Sequence, residues 1–420
     1  MPNTYVITGG KPVKGEITIG GSTQLASYML AASILASEPV KIKNLPQTTE
    51  IDSMLECLKF LGVAIHQEKS ETVIDASTIT TKAIPANFID STARNLLFWG
   101  AIFARFARAS IGESNKRTGI ITQLLGDLSS LFGEEITFSD GYATLQNPVR
   151  LSDFRLADNS ELISAVVVLL SILGNQSITL HGISEDPEIT RLLDILIEMG
   201  ANIELSDNQT VQITGVAKLK GTTVSLDPDK DELAFWVMLV LGTTGDVVFQ
   251  ETNTKVVVPL TSKLTRMGVK YKIEGTSLHV WLSDKKGLNP LDIHSREYPG
   301  FDTVWACWLT VVLTQIDGVS EIRFSKKPMY VEKLLEGLKK FGAEVNLHSS
   351  EEDTVLEIFG PTKLKAFDEI FNISEAAISM LLAASISDGV VTLTCEQDLS
   401  AIFEDFFEKL QTIGISIKSL

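Results

Sequence analysis

Three cysteines (Cys57, Cys307, Cys395) and five histidines (His66, His181, His279, His294, His348) are the side chains of this 420-residue chain best suited to redox, nucleophilic or metal chemistry. Their spacing supports none of it. Structural and catalytic metal ions are held by ligands a few residues apart or by paired short motifs. These histidines are isolated and sit in strand-like or turn-like contexts, so neither a metal site nor a cofactor is expected. The cysteines share no short spacing, and an odd count scattered over the whole length makes no disulfide framework; a reducing cytoplasm fits best. Chemistry is therefore left to carboxylates and cations. With 53 acidic against 36 basic residues and a net charge of −17, a nucleic acid or an anionic lipid surface is not an expected partner.

The elements that must position those groups follow from periodicity. The opening Met1-Pro-Asn-Thr-Tyr-Val-Ile-Thr-Gly-Gly10 has no apolar run behind a basic start, so neither a secretory signal nor a transit peptide is expected. Leu162–Leu173 and Leu233–Leu241, the longest apolar stretches, fall well short of the roughly 20 residues that cross a bilayer. They read as buried helices.

A repeat organises the whole chain. Six amphipathic helices end in a hydrophobic residue followed by glycine, at Gly62, Gly133, Gly200, Gly268, Gly342 and Gly414, about every 70 residues. Each glycine fits a helix C-cap at positive φ with a strand beginning at once. Upstream of each lies a second helix that is apolar nearly all round: Ala26–Ser37, Thr92–Ala107, Ser160–Leu173, Asp231–Leu241, Thr303–Thr314 and Glu375–Ser387. Such a helix is buried on every side, whereas the amphipathic one lines the outside of that core. The unit is helix, strand, helix and paired strands, three to each half, with a composition shift between halves around Val224-Ser-Leu-Asp-Pro-Asp229. The opening strands, Tyr5-Val-Ile and Gly15–Gly20, need a sheet to join, so the termini are expected to share a domain.

The residues from Gly9-Gly-Lys-Pro-Val-Lys-Gly-Glu-Ile-Thr-Ile-Gly20 to Leu30-Ala-Ala-Ser-Ile-Leu-Ala-Ser-Glu-Pro-Val40 resemble the opening of the UDP-N-acetylglucosamine enolpyruvyl transferases. Asp52–Gly62, Ala104-Arg-Phe106, Asp186-Pro-Glu-Ile189, Tyr298-Pro-Gly-Phe301 and Met329-Tyr-Val331 look like that family's landmarks in order, so the resemblance covers essentially the whole chain. It implies an α/β (α+β) fold of two inside-out, barrel-like domains, each of three repeated units around buried helices. The first would span 21–226, and 1–20 would rejoin 227–420. The implied reaction moves the enolpyruvyl group of phosphoenolpyruvate to a sugar 3-hydroxyl and releases phosphate. The implied ligand is a nucleotide sugar or related anion in the cleft between domains.

That chemistry needs cations to neutralise two anionic substrates. The resemblance assigns substrate binding to Thr23, Gln24, Arg94, Arg117, Thr303 and Lys327. Where the family has Gly-Ala-Lys-Asn this chain has Gly21-Ser-Thr23-Gln24, so a substrate-contacting lysine becomes an uncharged Thr23. Arg94 and Arg117 match two family arginines, and Lys327 stands for a third without its planar fork. Two further arginines align with Glu375 and Ala401, and the diphosphate-facing turn carries Glu161. The segment that matches the family's mobile loop, Ile111-Gly-Glu-Ser-Asn-Lys-Arg-Thr-Gly119, lacks the family's cysteine; Glu113 is its nearest acid, a proton donor or else a solvated glutamate. After Tyr298-Pro-Gly-Phe301 the aspartate that the resemblance makes the base for the sugar hydroxyl is matched by Asp302, two positions early, where a helix N-cap is the other reading. Glu113 and Asp302 are thus the candidate catalytic residues. Two expectations result: a transferase with weak or altered activity, or a noncatalytic paralogue that binds a ligand or regulates a partner, an active relative being one such partner.

Overall fold

The computed structural model describes residues 2–68, 71–114, 117, 119, 121–122, 124–126, 136–146, 152–156, 160–207, 209–325, 327–328, 330–350, 354–367, 370–372 and 376–420. The chain divides into two compact units, Gly21–Asp227 and Met1–Gly20 with Pro228–Leu420.

The Gly21–Asp227 unit is built on three buried helices, α1 (Thr23–Leu35), α3 (Leu96–Phe106) and α4 (Glu161–Ser171), with α2 (Thr49–Leu61) and α5 (Pro187–Glu198) carrying one apolar face each. Every residue of α1 after Thr23 is buried. Its serines survive there because each returns its hydroxyl to the helix backbone: Ser27 Oγ donates to Gln24 O at 2.6 Å and Ser33 Oγ to Leu30 O at 2.6 Å. Three four-stranded sheets surround these helices. In each, the strand that follows a buried helix takes one parallel neighbour and one antiparallel hairpin, as Ser177–His181 does between Asp153–Arg155 and Thr210–Thr214.

The second unit repeats the plan with α6 (Lys230–Thr243), α8 (Thr303–Leu313) and α10 (Ala377–Ile386) inside, and α7 (Val258–Met267), α9 (Val331–Lys340) and α11 (Phe406–Thr412) outside. The N-terminal strands complete it. Asn3–Gly9 pairs antiparallel with both Gly389–Cys395 and Ser416–Ser419, and Lys14–Thr18 runs parallel to Asp246–Gln250. Each unit has its own continuous apolar core, the inside-out arrangement of buried helices walled by sheets.

Five of the six repeat glycines have φ between +86° and +104°, as the spacing predicts; Gly133 and the segment expected to form the helix before it, Leu128-Ser-Ser-Leu-Phe, lie outside the described residues. Gly200 is representative: its N–H caps Ile197 O at 2.9 Å, and open space surrounds the position a Cβ would take. All five histidines lie on strands, and among the described residues no group of His, Cys, Asp and Glu could hold a metal ion. Among those residues no helix is long and apolar enough to cross a membrane.

Candidate functional site

In the Gly21–Asp227 unit the N-terminal ends of α1, α3, α4 and α5 gather polar side chains. Ser22 caps α1, its Oγ accepting from Leu25 N at 3.0 Å and donating to the Glu188 carboxylate. Glu188 is delivered by the Asp186-Pro-Glu-Ile sequence: Asp186 caps α5 by accepting from Glu188 N at 2.8 Å, Pro187 opens the first turn, and Glu188 turns inward. Next on α1, Gln24 donates from Nε2 to Glu161 Oε2 at 2.7 Å and to the Tyr28 hydroxyl at 3.0 Å. Burial, then the Glu161 charge, pushes the Tyr28 phenol well above its ordinary range. It stays protonated.

Arg94 enters from the short 3-10 turn before α3. Its Nε donates to Glu50 Oε2 at 3.1 Å while Thr92 Oγ1 donates to Glu50 Oε1 at 2.5 Å, and its Nη1 lies 3.5 Å from Ser27 Oγ. Burial works against the guanidinium charge, but Glu50, Tyr28, Glu161 and Glu188 outweigh it, so Arg94 is held cationic above its usual value. The positive ends of buried helices attract anions. Here two of the protein's own carboxylates stand beside those ends, Glu188 on the serine that caps α1 and Glu161 as the first residue of α4.

The second unit shows the same device. Asp229 caps α6, accepting from Asp231 N and Glu232 N at 2.9 Å each. Glu232 is buried and accepts from Gly20 N at 2.8 Å, Trp236 Nε1 at 2.9 Å and Lys409 Nζ at 2.7 Å. Burial raises its carboxyl and Lys409 opposes that rise. Asp231 accepts from Trp305 Nε1 at 2.7 Å, tying α6 to α8. Asp302 caps α8, its Oδ1 accepting from Val304 N at 2.7 Å and Trp305 N at 3.3 Å. Burial first, then the neighbouring Asp231 charge, pushes the Asp302 carboxyl up to about 6, against the pull of the two cap N–H groups. A carboxyl poised there can exchange a proton near neutral pH. The cap reading of Asp302 thus holds, and the cap leaves it titratable.

The sequence candidates divide accordingly. Gln24 and Arg94 belong to one helix-end cluster, and Thr23 precedes Gln24 as the first residue of α1. Asp302 and Thr303 share another, where Thr303 Oγ1 is 3.0 Å from Ser295 Oγ. Glu113 is exposed at the end of strand Arg108–Gly112 with its N–H on Gly141 O at 2.9 Å. Arg117 follows, its N–H donating to Ser114 Oγ at 2.9 Å while Ser114 Oγ donates to Asp90. Lys327 forms an exposed 2.6 Å ion pair with Glu332. Ala401 closes the short turn Leu399–Ala401, while Met329 and Glu375 lie outside the described residues. Sequence reading missed Ser22, Tyr28, Glu50, Glu188, Asp231 and Glu232 as members of these clusters. A serine ahead of an apolar helix, and an acid at N2 after Asp-Pro, were the available signals.

Two units of buried helices walled by repeated four-stranded sheets define the inside-out α/β class of fold. The chain belongs to the family described as EPSP synthase (3-phosphoshikimate 1-carboxyvinyltransferase), whose model matches residues 7–410. It is similar to the UDP-N-acetylglucosamine 1-carboxyvinyltransferases of Buchnera aphidicola subsp. Baizongia pistaciae, 29% identical with 99% of each chain covered, and of Psychrobacter sp., 26% identical over 99% of this chain and 96% of the relative. In fold it matches the enolpyruvyl transferase NikO from Streptomyces tendae, with a TM-score of 0.86 at 20% identity over 100% of this chain and 99% of that one. The EPSP synthase from Acinetobacter baumannii matches with a TM-score of 0.74 at 16% identity, covering 100% of both chains.

Proposed function

We propose that this chain is a divergent enolpyruvyl transferase of the UDP-N-acetylglucosamine branch whose helix-end positions are occupied by its own carboxylates. The family reaction, transfer of enolpyruvyl from phosphoenolpyruvate to the 3-hydroxyl of UDP-N-acetylglucosamine, then runs weakly or not at all. One observation carries the reading: Arg94 is committed to Glu50, and the α1 end to Glu188 and Glu161. A phosphate or carboxylate entering there meets like charge, and each uncompensated charge in a water-poor site costs several kcal/mol. Thr23 adds no cation to offset it. Losing even one donor to the developing charge commonly lowers turnover by about 10²–10³.

Phosphate release from phosphoenolpyruvate with UDP-N-acetylglucosamine tests this directly. Turnover below about 0.1 s⁻¹, against a typical enzyme near 10 s⁻¹, is expected. Faster turnover would sink the proposal. A second reading, a transferase with a less anionic acceptor, draws support from Asp302, whose carboxyl near 6 suits a proton-transfer role. It requires phosphate release with some neutral acceptor and its loss in Asp302→Ala. Failure across such acceptors favours the noncatalytic paralogue.

A further inference from the structure

Within the Met1–Gly20 and Pro228–Leu420 unit, a cavity of about 470 Å³ opens beside α7, lined by Lys263, Arg266, Asp292, His294, Arg296 and Tyr298 among others. Its construction is specific. Lys263 and Arg266 are three residues apart on α7 and so share a face. Asp292 and His294 alternate outward along strand Asp292–Ser295 while Ile293 and Ser295 are buried. Arg296 follows at the root of a turn closed by Arg296 N to Phe301 O at 3.0 Å and Gly300 N to Glu297 O at 2.8 Å. A Cβ on Gly300 would come within 2.2 Å of Arg296 Cγ and 2.8 Å of the Arg296 and Glu297 carbonyl oxygens, so glycine here lets the turn close with the arginine stem lying across it. Lys263 Nζ sits 5.7 Å from the centre of the Phe301 ring.

The charges do not cancel. The chain carries −17 overall, yet among the described residues three cations line this cavity against one lining carboxylate, Asp292. The hydrogen bond that Arg266 does make, from Nη2 at 3.4 Å, goes to the Asp292 carbonyl and not to a charge. Burial, then the neighbouring Arg266 and Arg296, pushes the Lys263 ammonium below its ordinary range. The fold thus keeps a mutual repulsion that a bound anion would relieve. Two guanidinium forks and an ammonium match the several oxygens of a phosphoryl group better than a single carboxylate. The half-buried Tyr298 supplies an aromatic wall beside them, and the volume suits a small organic molecule.

We propose that this cavity is a binding site for a phosphorylated small molecule, with its phosphate held by Lys263, Arg266 and Arg296. It shares no side chain with the helix-end clusters and does not depend on how active those clusters are. The test is a calorimetric titration of the full-length protein with inorganic pyrophosphate. Saturable binding near one per chain is expected, weakened at least about tenfold in Arg266→Gln/Arg296→Gln and less in Arg266→Lys/Arg296→Lys. Gly300→Ala, which removes no charge, should also weaken it by displacing the Arg296 stem. Arg94→Gln should leave it unchanged. Undiminished affinity in the double glutamine variant, loss in Arg94→Gln instead, binding that does not saturate, or no binding to the unmodified protein would each overturn the proposal. Arg266 and Arg296 are exposed, so the thermal midpoint should not move; if the double variant does not fold, Lys263→Gln decides by the same tenfold criterion.

Discussion

Glu161, the first residue of α4, accepts a 2.7 Å hydrogen bond from the Gln24 amide in the first turn of α1. Two helix N-termini, each a partial positive charge, are thereby joined through a side-chain pair in which the negative member belongs to the protein. The same carboxylate helps hold Tyr28 protonated and Arg94 cationic. A site that stabilises its own folded form in this way has less positive potential to offer a ligand.

Opening that site to anions is therefore expected to need two changes, not one. Glu161→Gln removes the competing charge, and Thr23→Lys adds a cation in the first turn of α1. The double variant should bind phosphoenolpyruvate at least about tenfold more tightly than the unmodified chain, a difference of about 1.4 kcal/mol, by calorimetric titration. Equal affinity would mean that phosphoenolpyruvate is not held at this helix end.

Glu50 holds Arg94 and accepts from Thr92 as well. Glu50→Gln leaves a partly buried guanidinium without its nearest counter-charge, which is more costly than the ion pair itself is favourable. With the two side chains 25% and 35% exposed, solvent screening limits the loss to about 1–2 kcal/mol. The urea midpoint should fall accordingly. Glu50→Gln/Arg94→Met should recover part of the loss, and a double variant no more stable than the single one would contradict the role given to the unpaired charge.

The repeat was legible because it rests on local rules. Helices α6 and α8 show apolar residues on all sides in the sequence, and Gly62, Gly200 and Gly268 mark helix ends where only glycine takes positive φ without strain. The clusters were only half legible. Asp302 is readable as an N-cap from its position ahead of Thr303, and Ser22 from its place before α1. That Glu188 reaches Ser22 from 166 residues away, or Lys409 reaches Glu232 from 177, depends on the packing of distant helices, which no local pattern encodes. The charge at position 161 was visible, but its amide partner was not. A glutamate expected to repel a phosphate is a glutamate already engaged.

Gly200 tests the cap rule in isolation. Its φ is +104° and nothing lies within 4 Å of the position a Cβ would take, so a larger side chain meets backbone strain without steric clash. Gly200→Val should lower stability by at least about 1 kcal/mol, and Gly200→Asn by less, since asparagine tolerates the left-handed region better. Equal denaturation midpoints for the three proteins would remove the conformational argument.

Asp302 makes a prediction whose sign is fixed by linkage. Its folded carboxyl titrates at about 6, above the ordinary value of 3.8, because burial and Asp231 disfavour the anion. Between these two pH values the folded protein holds a proton that the unfolded chain has released, so this group's contribution to stability falls as pH rises from about 4 to about 6. Asp302→Asn keeps an oxygen to accept from Val304 and Trp305 but cannot ionise. Relative to the unmodified protein it should be least favourable at pH 4 and gain through pH 6 to a plateau near pH 7. Urea unfolding at half-unit pH steps measures that difference directly. A difference that is flat across the window would show that Asp302 titrates normally, and would remove with it the reason to regard this carboxyl as a proton-transfer group.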